Sequence, residues 1–348
     1  MEAKGPGSDS HAVDRTTVKL LGSEGFATRS DLPRGRHLVT AQQLSSHLHT
    51  HLHTQQHPMS GSTPWRIVEV GCSAHAAYLE EHIPGAFYLD TGHLEAPPLW
   101  NKVSDPALLH VLLRLGIRHD TTVLLVGRPL LAAARAAHLM LYAGVRDVRL
   151  LDGGFDAWLQ AGYPCEAGAL SAAAQQPRPA TPAMPAGFGA TFPGCPQFLI
   201  DLPQAKARLQ RPDGALVSIR SWSEFSGATS GYSYIAAKGD IPGALWGHAD
   251  PAARNGPTNL HPDVNDMGAF HTPYGCMLPA ADIARMWHSE GIGPQQQIAF
   301  YCGTGWRASL AFFYAWLMGW ERISVFDGGW LEWSQASNID AKLLQKTL

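Results

Sequence analysis

The chain has 348 residues, 45% of them hydrophobic, with a formal net charge of -3. That balance suits a soluble globular protein with room for two domains of ordinary size, and it excludes disordered and fibrous classes. With no excess of either charge there is no electrostatic footprint for nucleic acid or an anionic membrane surface.

No window approaches the roughly 18 uncharged apolar residues of a membrane span, and the N-terminus lacks the apolar core of a secretory signal, so a cytoplasmic location is expected. The five cysteines, Cys72, Cys165, Cys195, Cys276 and Cys302, are odd in number and free of CxxC spacing. Neither a disulfide framework nor a metal site is indicated, and no cofactor is expected.

In chain order, residues 1–36 show no periodicity and read as an extension, flexible or laid over the surface. The helix-like "TAQQLSSHL" runs into "HLHTHLHTQQH", where His47, His49, His51, His53 and His57 crowd together. No Asp, Glu or Cys accompanies them, so a solvated polar segment is favoured over a metal site. "RIVEVGCSAH" reads as a buried strand entering a loop, and "EEHIPGAFYLD" follows. His82 in that stretch is expected to be a hydrogen-bonded structural residue.

"TTVLLVGRPLLAAARAAHLMLYAGVRDVRLLDGGFDAWLQAGYP" then reads strand, turn, helix, strand, Asp-Gly-Gly, aromatic. Residues 166–195, rich in Ala, Pro and Gly, have the composition of a connection between domains. Beyond them "ALVSIRSWSEF" is again a strand entering a loop, "AKGDIPGALWG" repeats the earlier motif, and "QQIAFYCGTGWRASLAFFYAWLMGWERISVFDGGWLEWSQ" repeats the long segment.

The chain is therefore an internal duplication. Asp152 and Asp327 lie 175 positions apart, and the same offset sets Leu125 on Phe300, Ala133 on Ala308 and Gly144 on Gly319 without a gap. The two IPGA motifs are only 158 apart, so the second half carries extra residues in "HADPAARNGPTNLHPDVNDMGAFHTPYGCMLP". Strands alternating with helices over so long a period predict two α/β domains with mainly parallel sheets.

The chemistry concentrates in "YCGTGWR". A strand ending at Tyr301 and a helix starting near Trp306 leave a short loop in which Gly303 and Gly305 let backbone N–H groups converge at a helix N-terminus. Such a cradle stabilises an anion at Cys302, either a thiolate or a sulfur-extended thiolate. A buried cysteine is often only a small hydrophobe. However, two glycines, Thr304 and Arg307 on one turn do nothing for a core.

The loop "CGTGWR", the motifs "HIPGA" and "DIPGA", and the endings "DGGF" and "DGGW" together resemble the tandem-domain rhodanese family of sulfurtransferases over roughly residues 37–337. The resemblance implies two rhodanese-like domains, each a mainly parallel five-stranded sheet flanked by helices: a non-catalytic one at 37–165 and a catalytic one at 196–340. It further implies that thiosulfate or 3-mercaptopyruvate loads sulfur onto Cys302 as a persulfide, which passes to cyanide or a thiol. Glutathione, thioredoxin and protein thiols are candidate acceptors. A non-catalytic sulfur-carrier or binding module is the rival reading, and a monomer is expected.

The duplication supplies a control, because Cys302 and Arg307 fall on Gly127 and Ala132 in the first half. One nucleophile per chain follows. Arg220 matches the family's arginine that leans toward the anionic donor, and its counterpart is Gly71. Arg220 and Arg307 are thus the expected donor-binding cations, with Gly303, Thr304, Gly305 and Trp306 completing the site. Lys238 is expected to be solvated. Of the aromatics Tyr232, Tyr234, Trp306 and Trp330, only Trp306 is taken as part of the pocket, and Cys276 is expected to be a bystander.

The loop also resembles an arsenate-type phosphatase cradle, but such a cradle needs five residues between Cys and Arg, and only four separate Cys302 from Arg307. Donor choice leans to thiosulfate, with 3-mercaptopyruvate as the alternative.

Overall fold

The computed structural model describes residues 29–53, 65–169, 187–250 and 267–336. The first half holds β1 (Leu38–Val39), α1 (Ala41–His53), β2 (Arg66–Gly71), α2 (His75–Glu80), β3 (Phe87–Asp90), a hairpin of β4 (Glu95–Ala96) and β5 (Asn101–Lys102), α3 (Asp105–Arg114), β6 (Thr122–Arg128), α4 (Leu130–Ala143), β7 (Asp147–Leu151) and α5 (Gly154–Gln160). The second half holds β8 (Leu199–Ile200), α6 (Leu202–Leu209), β9 (Gly214–Ser218), α7 (Trp222–Phe225), β10 (Leu245–Trp246), α8 (Ala280–Ser289), β11 (Gln297–Tyr301), α9 (Trp306–Leu317), β12 (Ile323–Phe326) and a helix from 329.

The two five-stranded sheets run β1-β7-β6-β2-β3 and β10-β9-β11-β12-β8. Read from opposite ends, these are the same order, and every pairing within them is parallel. Strands covered on both faces read as unbroken apolar runs, as in "TVLLV" of β6 and "IAFY" of β11, whose residues are all buried.

Helices α4 and α9 pack on each other where the halves meet, which explains why both are apolar around their whole circumference. Residues Leu131 to Ala143 are all buried in α4, Arg135 included, and in α9 everything except Trp306 and Trp316 is buried. One core cluster consequently runs through both halves.

The duplication extends to the junction itself. Lys102 donates its backbone N–H to Asp327 Oδ2 at 2.8 Å, and Met277, 175 positions on, donates its own to Asp152 Oδ1 at 2.8 Å. The β4–β5 hairpin of the first half thus reaches over the second, and a shorter turn pairing His271 with Met277 reaches back. This match locates the extra second-half residues upstream of His271. The stretch 251–266, where most of them fall, lies outside the described residues.

Two expectations are refined. The tail of the connection is docked: Gly194 N–H donates to the Ala143 carbonyl, Cys195 N–H to that of Tyr142, and Phe188 is buried in the shared core. The described end of the N-terminal extension reaches onto the second half. Arg29 Nη1 and Nη2 donate to the carbonyls of Met277 and Leu278 at 3.0 and 2.9 Å, and Arg34 reaches those of Trp316 and Leu317.

Candidate active site

Cys302 follows the last residue of β11, the central strand of its sheet, and precedes the first turn of α9. Parallel α/β sheets present ligands at the carboxyl ends of their strands. Gly305 has φ of +102°, a left-handed conformation that a side chain resists, and this bend turns its N–H back to donate to Cys302 Sγ at 3.2 Å. The sulfur also sits at the positive end of α9.

The floor of the loop comes from the Asp-Gly-Gly motif. Trp330 and Leu331, opening the helix from 329, donate N–H groups to the carbonyls of Cys302 and Gly303 at 2.8 and 3.2 Å. Any side chain at Gly329 would collide with those carbonyls.

The cradle differs from the expectation in one respect: the Gly303 N–H donates to the Tyr232 hydroxyl at 2.8 Å. Arg307 Nη2 also donates to that oxygen. Tyr232 therefore forms a wall of the site, and burial, with Cys302 nearby, pushes its hydroxyl well above the usual tyrosine range, so it stays protonated. At the mouth, the Tyr234 and Thr304 hydroxyls lie 3.3 Å apart; Tyr234 is 53% exposed and Cys302 only 2%.

Arg220 and Arg307 were expected to bind an anionic donor. In this structure both are buried and matched by carboxylates. Arg307 makes a bidentate pair with Glu224 at 2.8 and 2.8 Å. Arg220 donates to the carbonyls of Gly239 and Ser230 and to Asp240 Oδ2 at 2.7, 3.1 and 3.1 Å, and its Nε lies 3.5 Å from Glu224. The physical reason is burial itself, since two guanidinium groups taken out of water require counter-charges nearby. Burial alone would raise the Glu224 carboxyl, but Arg307 and Arg220 outweigh it and hold Glu224 at about 2.

Glu224 was not singled out in the sequence, although a signal was available. Ser221 and Glu224 form a capping box on α7, with the spacing S-x-x-E, and Glu224 stands four residues after Arg220. Asp240 of the "DIPGA" motif binds Arg220, Ser218 Oγ and the Tyr301 hydroxyl, tying that motif to the base of the loop.

Trp306, expected to line the pocket, makes a contact with the first half: its Nε1 donates to Glu95 Oε1 at 2.6 Å. Among the remaining candidates, Lys238 is exposed and donates to the Ala228 carbonyl at 3.2 Å. His82 Nδ1 lies 2.9 Å from the Tyr78 carbonyl oxygen, with its ring stacked on Tyr78. Trp330 places its ring under Arg220.

Cys276 lies against Gly153 in the first half's turn, where burial and Asp152 push its thiol up to about 12. His47 stacks on Trp65 and His49 bonds the Ser45 carbonyl. His57 and the side chains of His51 and His53 lie outside the described residues, and among those described no cluster could hold a metal ion. Nor is any described helix long and apolar enough to cross a membrane. Cys302 lines neither of two open clefts, of about 550 and 530 Å3.

A doubled α/β unit, a cysteine at the end of the central strand and an Asp-Gly-Gly helix beneath it define one class of protein. The chain belongs to the rhodanese-like domain family, whose model matches it twice, at residues 55–161 and 201–336.

Among individual proteins it is similar to the thiosulfate sulfurtransferase YnjE of Escherichia coli (strain K12), with 52% identity over 270 residues. That match covers 78% of this chain but only 58% of the relative. The crystal structure of YnjE superposes with a TM-score of 0.75 at 48% identity, covering 87% of this chain and 67% of that one. A probable 3-mercaptopyruvate sulfurtransferase of Pseudomonas aeruginosa is 30% identical over 268 residues, 74% of this chain and 82% of the relative. The anaerobic ergothioneine biosynthesis enzyme of Chlorobium limicola, solved with its natural substrate trimethyl histidine, superposes with a TM-score of 0.73 at 35% identity, covering 87% of this chain and 69% of that one. A variant of EanB, solved with ergothioneine covalently linked with a cysteine persulfide, superposes with a TM-score of 0.72 at 35% identity, covering 87% of this chain and 69% of that one.

Proposed function

We propose that the chain is a sulfurtransferase that carries a sulfane sulfur on Cys302, taking it from thiosulfate and handing it to cyanide or a thiol. The Cys302 thiolate attacks the outer sulfur of thiosulfate. The sulfur–sulfur bond of the donor breaks, sulfite leaves with the bonding electrons, and a persulfide remains on the protein. Cyanide then removes the terminal sulfur as thiocyanate and regenerates the thiolate; a thiolate acceptor does the same and leaves as its own persulfide.

The observation that carries this reading is the Gly305 N–H on Cys302 Sγ at the start of α9, in a loop whose copy has no sulfur. Gly303, Thr304 and Trp306 complete the cradle. Arg220 and Arg307 act through Glu224, fixing the Tyr232 wall. The similarity to YnjE and the persulfide in the EanB neighbour support it. Donation by 3-mercaptopyruvate, with pyruvate leaving, is the second reading, and the Pseudomonas relative favours it. A monomer suffices, because the wall opposite the loop comes from the same chain.

The test is to incubate the protein with thiosulfate or 3-mercaptopyruvate, look by intact mass for one added sulfur, and follow thiocyanate release with cyanide. Reduced thioredoxin and trimethyl histidine serve as further acceptors. Cys302→Ser should lower turnover at least about a thousandfold. No adduct from either donor, or unchanged turnover in Cys302→Ser, would overturn the proposal, and the ratio of donor rates decides between the two readings.

A further inference from the structure

Glu95 and Arg135 come from the half without the nucleophile, yet they meet at the cysteine loop. Glu95, at the base of the β4–β5 hairpin, accepts Trp306 Nε1 at 2.6 Å and Arg135 Nε at 3.2 Å. Arg135, wholly buried in the middle of α4, also donates Nη2 to Asp327 at 2.6 Å. Its Nη1 has no hydrogen-bond partner among the described residues and stands 3.1 Å from where a Cβ of Gly305 would lie. Gly305 is the residue whose N–H reaches the sulfur.

The duplication again says which part of this is architecture. Asp327 and Asp152 both receive a backbone N–H from the opposite half, so that feature is common to the two sides. The positions matching Arg135 and Trp306 are Leu310 and Leu131, both in the apolar core. The hairpin residue matching Glu95, namely His271 paired with Met277 as Glu95 is with Lys102, lies 2.8 Å from Tyr314 of its own half. The buried Glu95–Arg135 pair and the indole it grips are thus present on the cysteine side, whereas on the other side leucines stand for the arginine and the tryptophan and His271 for the glutamate. Burying a carboxylate and a guanidinium costs free energy that an apolar pair does not, so the packing of the halves does not require them.

We propose that Glu95, held by Arg135, is a positioning residue. By gripping the Trp306 indole from the first half, it fixes the first turn of α9 and keeps the Gly305 N–H aimed at Cys302. Only the turnover arm of its test rests on the sulfurtransferase reading.

The test is a double-mutant cycle between Glu95→Ala and Trp306→Phe in the full chain. The readouts are the pH profile of Cys302 alkylation by iodoacetamide (assigned by peptide mass), Tm, and kcat and KM for the sulfur donor. Glu95→Ala is expected to shift the alkylation profile and lower kcat at least about tenfold with KM within threefold. In a Trp306→Phe background the same change should alter either rate by less than about twofold, because the grip is already gone. Additive losses in the double variant, or single variants with the wild-type profile and kcat, would overturn the proposal. If Glu95→Ala fails to fold, Trp306→Phe alone, which leaves the Glu95–Arg135–Asp327 group intact, must shift the alkylation profile. A wild-type chain that moves no sulfur would defeat the sulfurtransferase reading while leaving the alkylation arm decisive for this one.

Discussion

The turns "GRPLLA" and "CGTGWR" occupy the same place on two copies of one framework, and they differ in what the backbone leaves open. In the second half the loop is held up from below by the helix from 329 and bends at Gly305, so a side chain at Cys302 has a place to stand. In the first half the chain at Gly127 has closed on itself. A Cβ there would overlap Leu130 and come within 2.6 Å of the Pro129 carbonyl oxygen. Gly154 still meets the Gly127 carbonyl as Gly329 meets that of Cys302, so the surrounding packing is preserved. What a loop that seats a cysteine needs beyond its fold is therefore space above the strand end and charged groups to frame it.

Removing the frame is the harshest way to break this contrast. Arg307→Ala gives the second half the residue that the first has, Ala132, and leaves Glu224 buried beside Arg220 alone. A loss of about 3–5 kcal/mol is expected, read by denaturant unfolding, because one partner of a buried pair is stranded. A loss below about 1 kcal/mol would show that the pair is not what holds the Tyr232 wall. The converse change, Gly127→Cys, should destabilise by about 1–3 kcal/mol through overlap with Leu130. In a Cys302→Ser background it should take up no sulfur by intact mass. An adduct at position 127 would mean that the first turn opens.

The gentlest comparison is in pH. Glu224, at about 2 against an ordinary 4.5, stabilises the second half fully above pH 4.5 and loses that contribution as pH falls toward 2. Asp152 in the first half has the opposite sign. Burial lifts it to about 6 from 3.8, so its contribution is fully present below 3.8 and is lost as pH rises through about 6. Between pH 5 and 8 the wild type should lose on the order of 1 kcal/mol at this site. Asp152→Asn should flatten that slope in unfolding experiments, and an unchanged slope would refute the assignment.

The parallel sheets, the duplication and the cysteine loop were legible because periodic apolar runs and glycine positions are local signals. Glu224 and Tyr232 were harder. Each acts through a partner on another element, Arg307 of α9, and only the capping spacing of Ser221 and Glu224 hinted at one of them. Arg135 shows the limit most clearly. A lone arginine inside "LLAAARAAHLMLYA" is conspicuous, but its meaning depends on Glu95 and Asp327, which lie 40 and 192 positions away. Sequence likewise shows the charges of Arg220 and Arg307 without showing their counter-charges, Glu224 and Asp240.

The strap from Arg29 to His37 has a consequence for how the molecule is made. Arg34 seats on the carbonyls of Trp316 and Leu317, and Leu32 is buried in the core cluster that α9 helps to build. Domains generally fold in order of synthesis, yet this early segment finds its seat only after residue 317 has left the ribosome. The first half must therefore wait for α9 of the second half before its own beginning can settle.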